Sequence, residues 1–270
     1  EVLIALGFER DGDSSHRLHQ LVKIYLFHPS SAFYSCPLAM TDGAAKLIEI
    51  HGQKELREGA FQHLTSRDPE TFWTSGQWMT ERTGGSDVGH SETTARYEDG
   101  HWRLYGTKWF TSATTSQMAM TLARIEDEKG KIQEGSRGLT LFYVEVRDEK
   151  DRLNNIRVNR LKDKMGTKAL PTAELTLEGA PAKLVGEKGR GVPLISTLFN
   201  VTRVYNACTS VGAYRRLLNL AEDYATKREA FGKPLIQQPL HQRTLKNLGY
   251  DLTGCMALTF YVVDLLGHSE

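Results

Sequence analysis

The chain has 270 residues, 40% of them hydrophobic and 25% charged, which is enough for roughly two domains with a real core and argues against disorder. Its formal net charge of +1 gives no overall field to attract nucleic acid or a membrane surface, so partners have to be read from local sites. The three cysteines, Cys36, Cys208 and Cys255, match neither zinc-ligand spacing nor a disulfide framework and fit a reducing compartment.

No apolar run is long enough to cross a bilayer, and no charged-then-apolar leader opens the chain. The expectation is an intracellular, soluble protein without a membrane span, with cytoplasm and mitochondrion unresolved. Glu1 to Leu6 reads as an element already under way, and Leu266 to Glu270 stops just after a helical pattern. Both ends are expected to be truncated.

From Leu18 to about Leu64 the apolar residues fall at helical spacing, with Thr41-Asp42 as a candidate helix start. Pro69 and its polar neighbours break this pattern, and a new period begins at Gly76. Between Gly76 and about Glu178 short segments rich in Thr, Val, Trp, Tyr and Phe alternate with turn chemistry, as strands do. Asp99-Gly100 sits between two such segments and predicts a tight hairpin, because Gly tolerates the positive φ of the turn. Further strands are predicted over Met118 to Ile125, Leu139 to Val146 and Thr172 to Leu177.

After Gly189-Arg190-Gly191 the helical period returns along Leu194, Leu198, Val201, Val204, Cys208, Val211, Leu217 and Ala221. Gly212 within that stripe predicts close helix packing. The helix is expected to end near Arg228, before Phe231-Gly-Lys-Pro234. A second long helix is predicted from about Pro239 to Leu266, with Leu245, Leu248, Leu252, Cys255, Leu258 and Val262 inward. The domain expectation is a partial helical N-terminal domain over 1–75, a β middle domain over 76–185 and a partial helical C-terminal domain over 186–270.

Two segments carry candidate chemistry. In Thr83-Gly84-Gly85-Ser86 two adjacent glycines would let backbone N–H groups approach a phosphate, although an ordinary β-turn has the same composition. In Gly106-Thr-Lys-Trp-Phe-Thr-Ser112 aromatics stand beside hydroxyls and could wall a planar ring, or simply fill a core. His16 and His19 are one helical turn apart, but no third ligand is evident, so no metal is expected and surface histidines are the reading.

Taken together, the Met79 to Asp87 loop, the Lys108 to Ser112 strand, Lys164-Met-Gly166 before Thr172, Gly186 to Gly191 and Arg228-Glu-Ala-Phe-Gly232 follow the order and spacing found in acyl-CoA dehydrogenases. The chain resembles that family over residues 76 to 266. Arg160-Leu-Lys-Asp-Lys-Met-Gly166 and Phe231-Gly-Lys-Pro-Leu-Ile-Gln-Gln-Pro-Leu240 are most similar to its adaptive-response, AidB-like branch. The resemblance implies an α+β fold with a helical N-terminal part, a β-barrel-like middle domain and an incomplete C-terminal helix bundle.

It also implies FAD as cofactor, with Met79 and Thr80 at the flavin ring and Gly85 and Ser86 at the pyrophosphate. Phe110, Thr111 and Ser112 would line the opposite part of the ring, Phe110 and Ser112 standing where relatives usually carry Trp and Thr. Arg228 and Gln238 match residues that reach the FAD of a neighbouring subunit, which implies a homodimer or homotetramer. Ser86 and Arg203 would face the substrate, an acyl-CoA or related thioester. The family reaction removes an α-proton with a carboxylate and passes a hydride to flavin. The position of that carboxylate in one branch matches Thr202, which is no base, and the commoner position is expected beyond this chain. The catalytic residue and the electron acceptor are therefore unassigned. The alternative is an AidB-like flavoprotein with a protective or DNA-associated role and little acyl-CoA turnover, although the near-neutral charge gives little reason to expect DNA binding.

Overall fold

The computed structural model describes residues 2–10 and 14–270; Glu1, the first residue of the run read as an element under way, lies outside them. The helices are α1 (Val2–Ala5), α2 (His16–Phe27), α3 (Ser35–His51), α4 (Lys54–Glu58), α5 (Ala60–Leu64), α6 (Gly191–Lys227) and α7 (Pro239–His268). Between α5 and α6 run strands β1 (Ser75–Trp78), β2 (Thr94–Glu98), β3 (His101–Ser112), β4 (Met118–Ile125), β5 (Leu139–Glu145), β6 (Ile156–Leu161) and β7 (Thr172–Leu184). A small ribbon of β8 (Glu229–Ala230) and β9 (Lys233–Pro234) separates α6 from α7. The fold is α+β, as expected, and among the described residues no helix is long and apolar enough to cross a membrane.

The chain forms two compact units. One comprises the residues up to Ala5 with Cys36–Thr202, the other Leu6–Ser35 with Arg203–Glu270. The first is built on the sheet. β4 pairs with β2, β2 with β3, β3 with β7, β7 with β5, and β5 returns to β4, which closes a barrel. β1 adds to β4 and β6 to β7. Closure removes most free strand edges, and the enclosed side chains, among them Trp78, Leu104, Phe142, Val144, Leu175 and Leu177, form one apolar core.

The expected hairpin is present: Asp99 (φ 51°) and Gly100 (φ 81°) link β2 to β3 with both central residues at positive φ. β6 was not expected, and β7 runs on to Leu184. Only Ile156 of β6 is buried, so its pairing with β7, more than burial of apolar side chains, holds it as a strand. The helix expected to start at Thr41-Asp42 starts at Ser35 instead. Thr41 lies inside α3, fully buried, where its hydroxyl donates to the Pro37 carbonyl and accepts the Ser75 N–H, so it ties helix to sheet.

In the second unit α2 packs on α6 and α7. A Cβ on Gly212 would lie 2.7 Å from the Tyr25 carbonyl oxygen, which is the close packing the sequence suggested. The inward faces differ in detail from the expected stripes. On α6 Leu218 is buried and Leu217 exposed; on α7 the buried positions are Leu245, Leu252, Thr259, Val263 and Gly267, whereas Cys255, Leu258 and Val262 face outward. The helix turns away from the stripe drawn at strict apolar positions because small and polar residues, Thr259 and Gly267, occupy the packed face. His16 is buried against Glu270 (3.2 Å), where Arg17 also donates two hydrogen bonds, so it is no surface histidine; His19 is exposed.

Candidate active site

β1 delivers the chain into the loop that carries the two glycines. Met79 is buried, and at Glu81 the backbone doubles back, with Glu81 N–H to Gly84 O at 3.2 Å and Gly84 N–H to Glu81 O at 3.0 Å. Gly84 has φ 123°, a conformation side chains rarely adopt, and a Cβ on Gly85 would lie 2.5 Å from the Thr80 hydroxyl. The loop is thus built around glycine at both positions. Gly84, Gly85 and Ser86 are exposed, and among the described residues no acceptor takes the N–H of Gly85 or Ser86. Such bare, adjacent amides suit a phosphate group.

A buried ion pair holds this loop from below. Glu81 and Lys108 are almost fully enclosed, with Nζ 2.6 Å from Oε1. Glu81 also accepts the Thr93 hydroxyl at 2.6 Å and the Glu92 N–H at 2.6 Å, and Lys108 donates to the Leu122 carbonyl at 2.9 Å. Burial pushes the Glu81 carboxyl upward, but the Lys108 ammonium and these donors outweigh it and hold the carboxyl below its usual range. Burial lowers the Lys108 ammonium despite its partner. Neither residue was singled out in the sequence; they are far apart in the chain, and only the sheet brings them together.

β3 supplies the second wall. Its pairing with β7 steps from Lys108↔Leu175 to Thr111↔Ala173, so Trp109 and Phe110 oppose Glu174 alone and bulge from the ladder. Phe110 takes φ 52° and is 47% exposed. The Trp109 N–H donates to the Thr80 carbonyl at 2.8 Å, which fastens the bulge to the glycine loop. Thr111 points inward and donates to Ala173 O at 2.7 Å, and the Ser112 hydroxyl lies 3.0 Å from that of Thr172. A cleft of about 380 Å³ opens beside the bulge, lined by Trp109, Phe110, Arg160, Lys162 and Glu174 among others. Cations surround the aromatics: Arg82 and Arg160 lie 6.0 and 5.8 Å from the Trp109 ring centre, and Lys162 Nζ lies 3.8 Å from that of Phe110.

The structure therefore brings Met79, Thr80, Gly85, Ser86, Phe110, Thr111 and Ser112 to one end of the barrel. Arg228 and Gln238 flank the β8–β9 ribbon of the second unit. Arg228 is exposed just after α6, and its carbonyl accepts the Leu235 N–H, while Gln238 Nε2 donates to Ala230 O at 2.7 Å. Between them Phe231 stands 99% exposed at the ribbon tip. Arg203 is an exposed residue of α6, and Thr202 donates its hydroxyl to the Phe199 carbonyl. Among the described residues no three His, Cys, Asp or Glu side chains cluster as metal ligands would.

Two family models match in succession: the acyl-CoA dehydrogenase middle domain over residues 76–180, and the acyl-CoA dehydrogenase C-terminal domain over 189–269. The chain belongs to the acyl-CoA dehydrogenase family. Among its relatives, acyl-CoA dehydrogenase family member 11 of Caenorhabditis elegans is 49% identical over all of this chain and 45% of its own length. AidB of Escherichia coli strain K12 is 33% identical over 94% of this chain and 47% of its own. A similar solved structure is C. elegans ACDH-11 in complex with C11-CoA, with a TM-score of 0.95 and 48% identity over 99% of this chain and 46% of that one. The chain thus spans about half the length of the curated relatives it matches.

Proposed function

We propose that this chain forms the flavin-binding part of an FAD-dependent oxidoreductase acting on an acyl-CoA or related thioester. The observation that carries the reading is the link between the two walls: the Trp109–Phe110 bulge is hydrogen-bonded to Thr80, next to bare amides at Gly85 and Ser86. An aromatic surface and a phosphate cradle so close together fit a dinucleotide with a planar ring. The family membership supports FAD as that ligand, and a relative's complex with C11-CoA supports an acyl-CoA substrate.

In this reading Met79, Thr80, Phe110, Thr111 and Ser112 orient the ring, and Gly85 and Ser86 hold the pyrophosphate. The Glu81–Lys108 pair keeps the loop in place. Ser86 and Arg203 face the thioester. When bound, FAD would accept the hydride leaving the acyl β-carbon. The α-proton needs a base, which Thr202 does not provide, and none is assigned. Arg228 and Gln238 serve the FAD of a second copy, so the working state is a homodimer or homotetramer. The domain limits that go with this proposal are 1–75, 76–185 and 186–270. The protective, DNA-associated alternative draws no support from the descriptions of the relatives.

The test is spectroscopic. The purified protein should show flavin absorption, or gain it on titration with FAD, and anaerobic acyl-CoA should bleach the oxidised band. Absence of FAD binding defeats the proposal; binding without bleaching by any acyl-CoA defeats its dehydrogenase half.

A further inference from the structure

We infer that Lys162 is a positioning residue for charge at the cofactor, a fixed cation behind the Phe110 ring that raises the electron affinity of the bound flavin. This rests on the flavin reading above and goes beyond it, because it assigns a role to a residue outside the glycine loop and outside β3.

The geometry is specific. Lys162 follows directly after β6, and its N–H donates to the Thr172 carbonyl at 2.8 Å, so its backbone is anchored to the neighbouring strand. Its Nζ sits 3.8 Å from the centre of the Phe110 ring, while the bulge fixes where that ring stands. The other cations beside the aromatics are engaged differently. Arg160 is paired with Glu174 at 2.6 Å, which cancels most of its field, and Arg82 faces Trp109. Asp163 and Glu174 line the same cleft, but among the described residues no carboxylate forms an ion pair with Lys162.

A flavin ring gains negative charge as it takes up electrons, and protein charges near the ring tune that step. A cation held one aromatic ring away favours the electron-rich state. Because Lys162 is exposed, salt should weaken the effect.

The experiment compares the whole protein with its Lys162→Met and Lys162→Arg variants, each titrated with FAD and then poised against redox dyes. The expected result is a more negative midpoint potential for Lys162→Met, a potential near that of the parent for Lys162→Arg, and a difference that shrinks with added salt, with FAD affinity little changed. An unchanged potential in Lys162→Met overturns the inference. So does a loss of FAD affinity at unchanged potential, which would make Lys162 a phosphate contact. If the unsubstituted protein binds no FAD, the flavin reading has failed first, and its own titration shows that directly.

Discussion

Lys108 takes a charge into the barrel wall, where, among the described residues, only Glu81 and the Leu122 carbonyl receive it. Removing one member of a buried pair leaves the other uncompensated, so Lys108→Met should cost about 3–5 kcal/mol. Replacing both residues with apolar ones of similar size should cost clearly less, and thermal melts of the two variants would show the difference. The pair also sets a pH dependence. The folded-state pKa of Glu81 lies below its unfolded value, so its contribution is complete above the usual carboxylate pKa of about 4.3 and is lost as pH falls through the lower, folded value. Melting temperature should therefore decline on acidification below about pH 4.3, and Glu81→Gln should flatten that decline. A slope identical in the variant would rule the pair out as its origin.

At the level of elements, helices and turns were legible where a local rule decides them. The Asp99-Gly100 hairpin rests on residues that the turn itself requires, and the long helix ends at Lys227, ahead of the Gly232 and Pro234 read as its stop. β6 was not legible because the alternation of Ile156-Arg-Val-Asn159 is short, only Ile156 is buried, and the strand is held by its pairing with β7. The far half of β7 was hidden by Gly179 and Pro181, which read as a break but are accommodated where β3 shifts register at Leu104/Tyr105. Two glycines test the packing argument. Gly212→Val should destabilise by about 1–3 kcal/mol, because its side chain would meet the Tyr25 carbonyl. Gly254, inside α7 with nothing within 4 Å, should instead gain about 0.5–1 kcal/mol on substitution by Ala. Chemical denaturation of both variants should give opposite signs.

For the whole molecule, the candidate site was legible only in combination. Thr83 to Ser86 alone looks like any turn, and Trp109-Phe110 alone looks like core; the family pattern joined them, and the Thr80–Trp109 hydrogen bond shows how they meet. What the pattern did not disclose was the support beneath, since Glu81 and Lys108 carry no spacing signal. The role proposed for Arg228 belongs to the assembled protein. A charge-assisted hydrogen bond to a phosphate contributes about 1.5–3 kcal/mol, so Arg228→Ala should weaken FAD binding by roughly tenfold or more, without loss of helical circular dichroism. Equal affinity would remove Arg228 from the cofactor site.

The Phe110 backbone carries a last consequence. A side chain held at φ 52° costs about 1–2 kcal/mol relative to ordinary backbone, a penalty glycine would not bear. Phe110→Gly should therefore melt no lower than the parent, and even higher if the lost ring contacts count for less, while binding flavin more weakly. Such a variant would be hardier and less able, and selection for durability alone would erode this position.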